Sequence, residues 1–134
     1  MFFNFIFILL INFKINKKYE NKIKKQESLN LNLEKNIDIL NYVSSHNSMR
    51  PKLVIGFAAE TDEIDKNAVE KLNKKNCDWI ISNDVSNKNI GFNSDYNEVT
   101  IYYKNRDAKK DKLSYKKKSG ISDEIVDRII DQLN

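Results

Sequence analysis

The stretch Val54-Ile55-Gly56-Phe57-Ala58-Ala59-Glu60-Thr61 constrains the fold of this chain more than any other. An apolar run halts at a glycine, sets down one aromatic ring, then delivers small residues and a carboxylate. A buried strand that ends at a ligand crevice is written this way, because ligands in open α/β sheets sit beyond the carboxyl ends of the strands. Glycine and alanine let a flat ring approach the backbone, and Phe57 offers that ring a stacking face. The same eight residues also suit a buried strand followed by an ordinary loop, and alone they do not decide between the two.

The neighbouring segments supply the context. Leu29, Leu31 and Leu33 alternate with polar residues, the pattern of a half-buried strand. Asn36 can cap a helix with apolar positions Ile37, Leu40 and Val43. Pro51 precedes the strand Leu53 to Phe57, and Thr61-Asp62 starts a helix that Ala68 and Leu72 carry to about Asn76. Asp78 to Ile81 reads as a short buried strand. Val99 to Tyr103 is rich in β-formers, and Leu113 to Tyr115 can pair with it as a hairpin. Ser122 is placed to cap a last helix, with Asp123 and Glu124 in its first turn. Ile125, Val126, Ile129, Ile130 and Leu133 would form its apolar face. Strands alternating with helices predict an α/β fold with a mostly parallel sheet, flanking helices and a C-terminal β-hairpin. A length of 134 residues suits one domain with a modest core.

Met1 to Phe13 is strongly apolar but shorter than the ~20 residues a spanning helix needs. It lacks the positive leader and small-residue cleavage site of a signal peptide. A buried parallel strand reads as such a continuous run; peripheral membrane association is the alternative. One cysteine, Cys77, forms no internal disulfide, and one histidine, His46, builds no metal cluster. A reducing, cytoplasmic setting follows as the expectation, with Cys77 a small buried residue rather than a nucleophile.

The net charge of +4 permits an anionic ligand, although lysine and asparagine are spread throughout. No RNP-like aromatic pair supports RNA binding, so no nucleic-acid partner is expected. Neither a G-x-G-x-x-G nor a Walker sequence is present. Three constellations remain. Lys22-Ile23-Lys24-Lys25 concentrates three cations, and Lys71 and Lys75, with Lys74 beside them, lie one helical turn apart. Ser82-Asn83-Asp84-Val85, followed by Gly91-Phe92-Asn93-Ser94-Asp95, is polar chemistry after a strand. Solvated lysines and plain turn residues explain each set separately; the α/β reading places the segments beginning at Asn36, Phe57 and Ser82 on one edge of one sheet.

With these segments in order, the chain resembles the C-terminal part of phosphopantothenate–cysteine ligase, the synthetase half of the bifunctional coenzyme A biosynthesis flavoprotein. The matching residues are Lys22-Ile23-Lys24-Lys25, Leu33 to Leu40, Arg50 to Thr61, Lys71-Leu72, Asp78 to Val85, and Gly91 to Asn97. The likeness runs from about Glu20 to the C-terminus, so residues 20–134 are expected to be the C-terminal portion of the ligase domain. Residues 1–19 would be a drifted apolar strand and connection. The resemblance implies a partial Rossmann-like sheet without the family's N-terminal half, which carries a phosphate loop. It implies CTP as substrate with Mg2+, and 4′-phosphopantothenate and cysteine as partners. No FMN site would lie in this chain.

By motif position the resemblance makes Lys22, Asn36, Ile37, Asp38, Ile39, Phe57, Lys71 and Lys75 nucleotide-binding residues, with no catalytic residue and no metal ligand assigned. It implies a complementing N-terminal polypeptide, and a homodimer through a sheet extension at Glu98 to Tyr115. Two departures stand out: Asn12 occupies the place of a family aspartate, and Ile37 that of a proline. The alternative reading is a non-catalytic remnant, or a nucleotide-binding subunit that works only beside a second polypeptide.

Overall fold

The computed structural model describes residues 13–16, 30, 32–86, 94–105 and 110–134. Its elements are β1 (Phe13–Ile15), β2 (Leu33–Lys35), α1 (Ile39–Ser44), β3 (Ile55–Glu60), α2 (Ile64–Lys74), β4 (Trp79–Asp84), β5 (Tyr96–Tyr103), β6 (Lys110–Lys117) and α3 (Lys118–Leu133). Strands β3-β4-β5-β6 form the main sheet in that order, and β1 and β2 pair separately. The helix-flanked α/β architecture expected from the sequence is present, and the terminal hairpin is β5–β6.

The expected parallel character holds for one pairing of three. β3 and β4 are parallel, joined through α2, whereas β4–β5 and β5–β6 are antiparallel. A parallel crossover needs roughly a dozen residues, usually with a helix. After β4 the chain turns back instead, and β5 runs antiparallel alongside it.

Strict alternation divides the sheet into two faces. Trp79, Ile81, Val99, Ile101, Tyr103 and Leu113 point to one side and bury Ile121 and Ile129 of α3. Ala58, Ile80 and Tyr102 point to the other, where Ala68 and Leu72 of α2 cover them and Leu40 of α1 packs alongside. Gly56 is what admits Leu40. A Cβ there would stand 2.7 Å from Ile80 Cδ1 and 3.0 Å from Leu40 Cδ2.

Several expected boundaries are corrected. The strand of the opening motif starts at Ile55 and runs on to Glu60, because Ala58, Ala59 and Glu60 keep parallel partners in Ser82, Asn83 and Asp84. Asp38, not Asn36, caps α1: its side chain accepts from the Asn41 N–H at 3.0 Å. Ile37 therefore lies ahead of the helix and is exposed. α2 enters through Glu63 in a left-handed conformation, without a side-chain cap. α3 begins at Lys118 directly out of β6, so Ser122 is interior to the helix and its hydroxyl donates back to the Lys118 carbonyl at 3.0 Å. Asp123 and Glu124 then fall outside the first turn. The apolar face of α3 is Ile121, Ile125, Ile129 and Leu133, while Val126 and Ile130 stay exposed. Leu33 is exposed rather than half-buried. Most of the Met1–Phe13 run, with Leu29 and Leu31, lies outside the described residues. Among the described residues no helix is long and apolar enough to cross a membrane.

Candidate nucleotide site

One guanidinium fixes the frame on which the candidate residues stand. Arg50 donates to the Ser44 carbonyl (2.8 Å), the Asn76 carbonyl (3.1 Å) and Asp78 Oδ2 (3.0 Å). The same Asp78 oxygen accepts the Val54 N–H at 2.7 Å. Asn76 Nδ2 also donates to the Ser44 carbonyl at 3.0 Å, and the buried Ser44 hydroxyl donates to the Lys75 carbonyl. The ends of α1 and α2 are thereby tied to the entry of β3 and β4. A mutually satisfied set of this kind has little freedom to shift.

This frame sets two ion pairs on one flank of the sheet. Lys71, on the last turn of α2, pairs with Glu60 at the carboxyl end of β3. Lys75, the C-cap of α2, pairs with Asp38 at the head of α1. The one-turn spacing of the lysines therefore places both on one face, as expected, and each ammonium meets a carboxylate from a different element. Asn36, Ile37 and Ile39 accompany Asp38 in the same turn; Ile37 is 77% and Ile39 47% exposed.

Phe57 behaves differently. Gly56, Ala58 and Glu60 are buried on the α2 side, so alternation turns Phe57 to the opposite face, where its residue surface is 60% exposed. The ring is not sealed in the core, yet the sheet separates it from the lysine pair. Lys22, Lys24 and Lys25 lie outside the described residues, as do Gly91, Phe92 and Asn93.

Two features went unassigned in the sequence. Glu60 belongs to the opening motif, but its pairing with Lys71 across eleven residues of chain is a product of the β3–α2 turn. The second is at the end of β4, where Ser82 Oγ and Asn83 Oδ1 are buried and have no hydrogen-bond partner among the described residues. Buried polar atoms are satisfied in the great majority of cases, so this edge has spare polar capacity. Asp84, beside them, accepts from the Ser86 hydroxyl (2.6 Å) and N–H (2.9 Å), which holds its carboxyl below the usual range. Cys77 is fully buried, and burial pushes its thiol up to about 11. A neutral, covered thiol is not a nucleophile at neutral pH, in agreement with the packing role expected for it. Among the described residues no group of three or more His, Cys, Asp and Glu side chains could hold a metal ion.

A parallel strand–helix–strand unit whose helix carries paired lysines in and just after its last turn defines an α/β domain with a charged margin. The chain belongs to the family of the DNA/pantothenate metabolism flavoprotein C-terminal domain, whose pattern matches residues 10–133. It is similar to the coenzyme A biosynthesis bifunctional protein CoaBC of Haemophilus influenzae, 37% identical over 122 residues, which cover 90% of this chain and 29% of that protein. The CoaBC of Escherichia coli K12 is 41% identical over 113 residues, covering 81% of this chain and 27% of that protein. That of Bacillus subtilis is 38% identical over 112 residues, covering 83% and 27%. Among solved structures, the crystal structure of the C-terminal domain of CoaBC matches with a TM-score of 0.60 and 32% identity, covering 77% of this chain and 45% of that one. The chain thus spans less than a third of the length of the curated relatives it matches.

Proposed function

We propose that this chain is the nucleotide-holding portion of a CTP-dependent ligase that joins 4′-phosphopantothenate to cysteine in coenzyme A biosynthesis. The observation that carries this reading is the pair Lys71 and Lys75, one turn apart on α2 and held by carboxylates from β3 and α1. Family membership and the similarity to CoaBC proteins support the chemistry.

In this reaction a carboxylate oxygen of 4′-phosphopantothenate attacks the α-phosphate of CTP, and the bond to pyrophosphate breaks. The amine of cysteine then attacks the acyl carbon, forms the amide and releases CMP. Negative charge builds on the α-phosphate and the departing pyrophosphate, and preset ammonium groups stabilise it without reorganising. Lys71 and Lys75 take that role and the turn Asn36-Ile37-Asp38-Ile39 borders the nucleotide, while Phe57, turned to the opposite face of β3, is not assigned to the same pocket. Lys22 adds a phosphate contact. Mg2+ would arrive on the triphosphate, since this ion keeps its waters and is bound largely through substrate phosphates. Two copies associate through β5 and β6, and the protein works in the cytoplasm.

Titration of the chain with CTP by calorimetry tests the reading. Lys71→Met should weaken CTP binding about tenfold or more, the cost of one charge-assisted contact. CTP binding that is unmoved by loss of Lys71 would remove the pocket assignment. Pyrophosphate release on mixing with an N-terminal ligase fragment, 4′-phosphopantothenate and cysteine tests the chemistry itself.

A further inference from the structure

The two lysine–carboxylate pairs are not equivalent. Glu60 lies at the end of β3 with its side chain 9% exposed, while its partner Lys71 is 44% exposed. A carboxylate so covered requires its cation. An ammonium has three donors, so Lys71 can keep Glu60 and still turn two N–H groups to a ligand. Asp38 is otherwise placed. Its side chain is 31% exposed, and one oxygen already accepts the Asn41 N–H as the cap of α1. A neutral amide oxygen caps a helix as well as a carboxylate does. The cap therefore does not need the charge, and the described cation that Asp38 meets is Lys75. Lys75 is held in reach because its own carbonyl receives the Ser44 hydroxyl.

We propose that Asp38 is an internal counter-ion: its carboxylate occupies Lys75 in the empty chain and yields it to a polyphosphate, so the site favours di- and triphosphates over a single phosphate. The inference rests on the reading of Lys71 and Lys75 as phosphate anchors. A single phosphate is satisfied at the more open Lys71 and leaves the Asp38–Lys75 pair closed. A run of phosphates reaching one turn along α2, about 6 Å, meets Lys75 as well. Its higher charge outcompetes the lone carboxylate, and Asp38 keeps its hydrogen bond to Asn41 while its other oxygen turns to water.

Calorimetric titration with inorganic tripolyphosphate and, separately, inorganic phosphate tests this on the wild type, Asp38→Asn, Lys75→Met and the double variant. Asp38→Asn should bind tripolyphosphate about fivefold tighter, the upper end for a partly exposed ion pair, with phosphate binding unchanged. The gain should vanish in the Lys75→Met background. No gain, or a gain that persists without Lys75, overturns the proposal, the latter because mere loss of a negative charge would explain it. Asp38→Ser, which also caps a helix, carries the same expectation if the Asn variant fails to fold. Lys71→Met separates the two readings. Tripolyphosphate binding that survives it unchanged sinks the phosphate-anchor reading. Binding lost in Lys71→Met, but not tightened in Asp38→Asn, sinks the counter-ion alone.

Discussion

The two faces of the main sheet are built on opposite principles. Under α3 the contact is apolar and dry: Trp79 and Tyr103 meet edge to face at 5.2 Å between ring centroids, and Ile81 and Ile101 are essentially inaccessible. On the α2 side the buried set is smaller, with two alanines and a cysteine, and its margin carries the Lys71–Glu60 and Lys75–Asp38 pairs. A face filled with large side chains contributes stability through buried area. A face of small residues brings helices close enough for their charged ends to converge. The same strands therefore serve as the core of the domain on one side and as the base of a charged margin on the other.

The sharpest way to break this contrast is to damage the dry face alone. Ile101 is wholly buried at the centre of β5. Ile101→Ala should cost about 2–5 kcal/mol of stability, from lost transfer energy and the cavity left behind. Chemical denaturation measures it, and CTP affinity should be little changed where the variant remains folded. If affinity fell in step with stability, the two faces would not be separable in function.

The charged face has its own weak point in Gly56. A methyl group there meets the side-chain ends of Ile80 and of Leu40 on α1, which must shift to admit it. Gly56→Ala should cost about 1–2 kcal/mol, the lower range for overpacking, because both neighbours are ends of side chains. Since α1 carries Asp38, the same substitution should change polyphosphate affinity, which Ile101→Ala should not. Thermal unfolding with and without tripolyphosphate compares the two variants directly.

How far the sequence foretold each face follows from the same contrast. The dry face is written locally: Asp78 to Ile81 and Val99 to Tyr103 declare strands by composition, and the hairpin partner at Leu113 follows by proximity. The caps were not readable. Asn36 and Asp38 are both good capping residues; Leu40 seated over Gly56 and Lys75 waiting for Asp38 settle the choice, and both are long-range facts. The start of α3 was hidden because its N-cap is Lys117, a residue without a capping side chain, whereas Ser122-Asp123-Glu124 imitates a cap. In the candidate site, the lysine spacing was legible from helical periodicity. Glu60 as a partner, and the opposite orientation of Phe57, required the register of β3.

The smallest expected effect lies where the two regions are stitched together. Asp65 on α2 accepts from the Tyr102 hydroxyl and from Lys110 Nζ (2.9 Å), linking the helix of the charged face to the hairpin. The Tyr102 hydroxyl, and then Lys110, hold the Asp65 carboxyl below its ordinary value of 3.8. A depressed folded value means that the stabilisation is complete above the unfolded value, near 3.8, and fades as the pH falls through the lower folded one. Asp65 is 68% exposed in its side chain, so the effect is worth about half a kcal/mol or less. Acid titration of stability should therefore show a shallow loss below about pH 4, and Asp65→Asn should remove that component while leaving the pH 7 melting point within a degree or two. Amide exchange at the Lys110 end of β6 should quicken over the same range in the wild type. A hairpin whose protection ignored both the acid and the substitution would mean that the β4–β5 ladder alone, not the helix, holds it against the sheet.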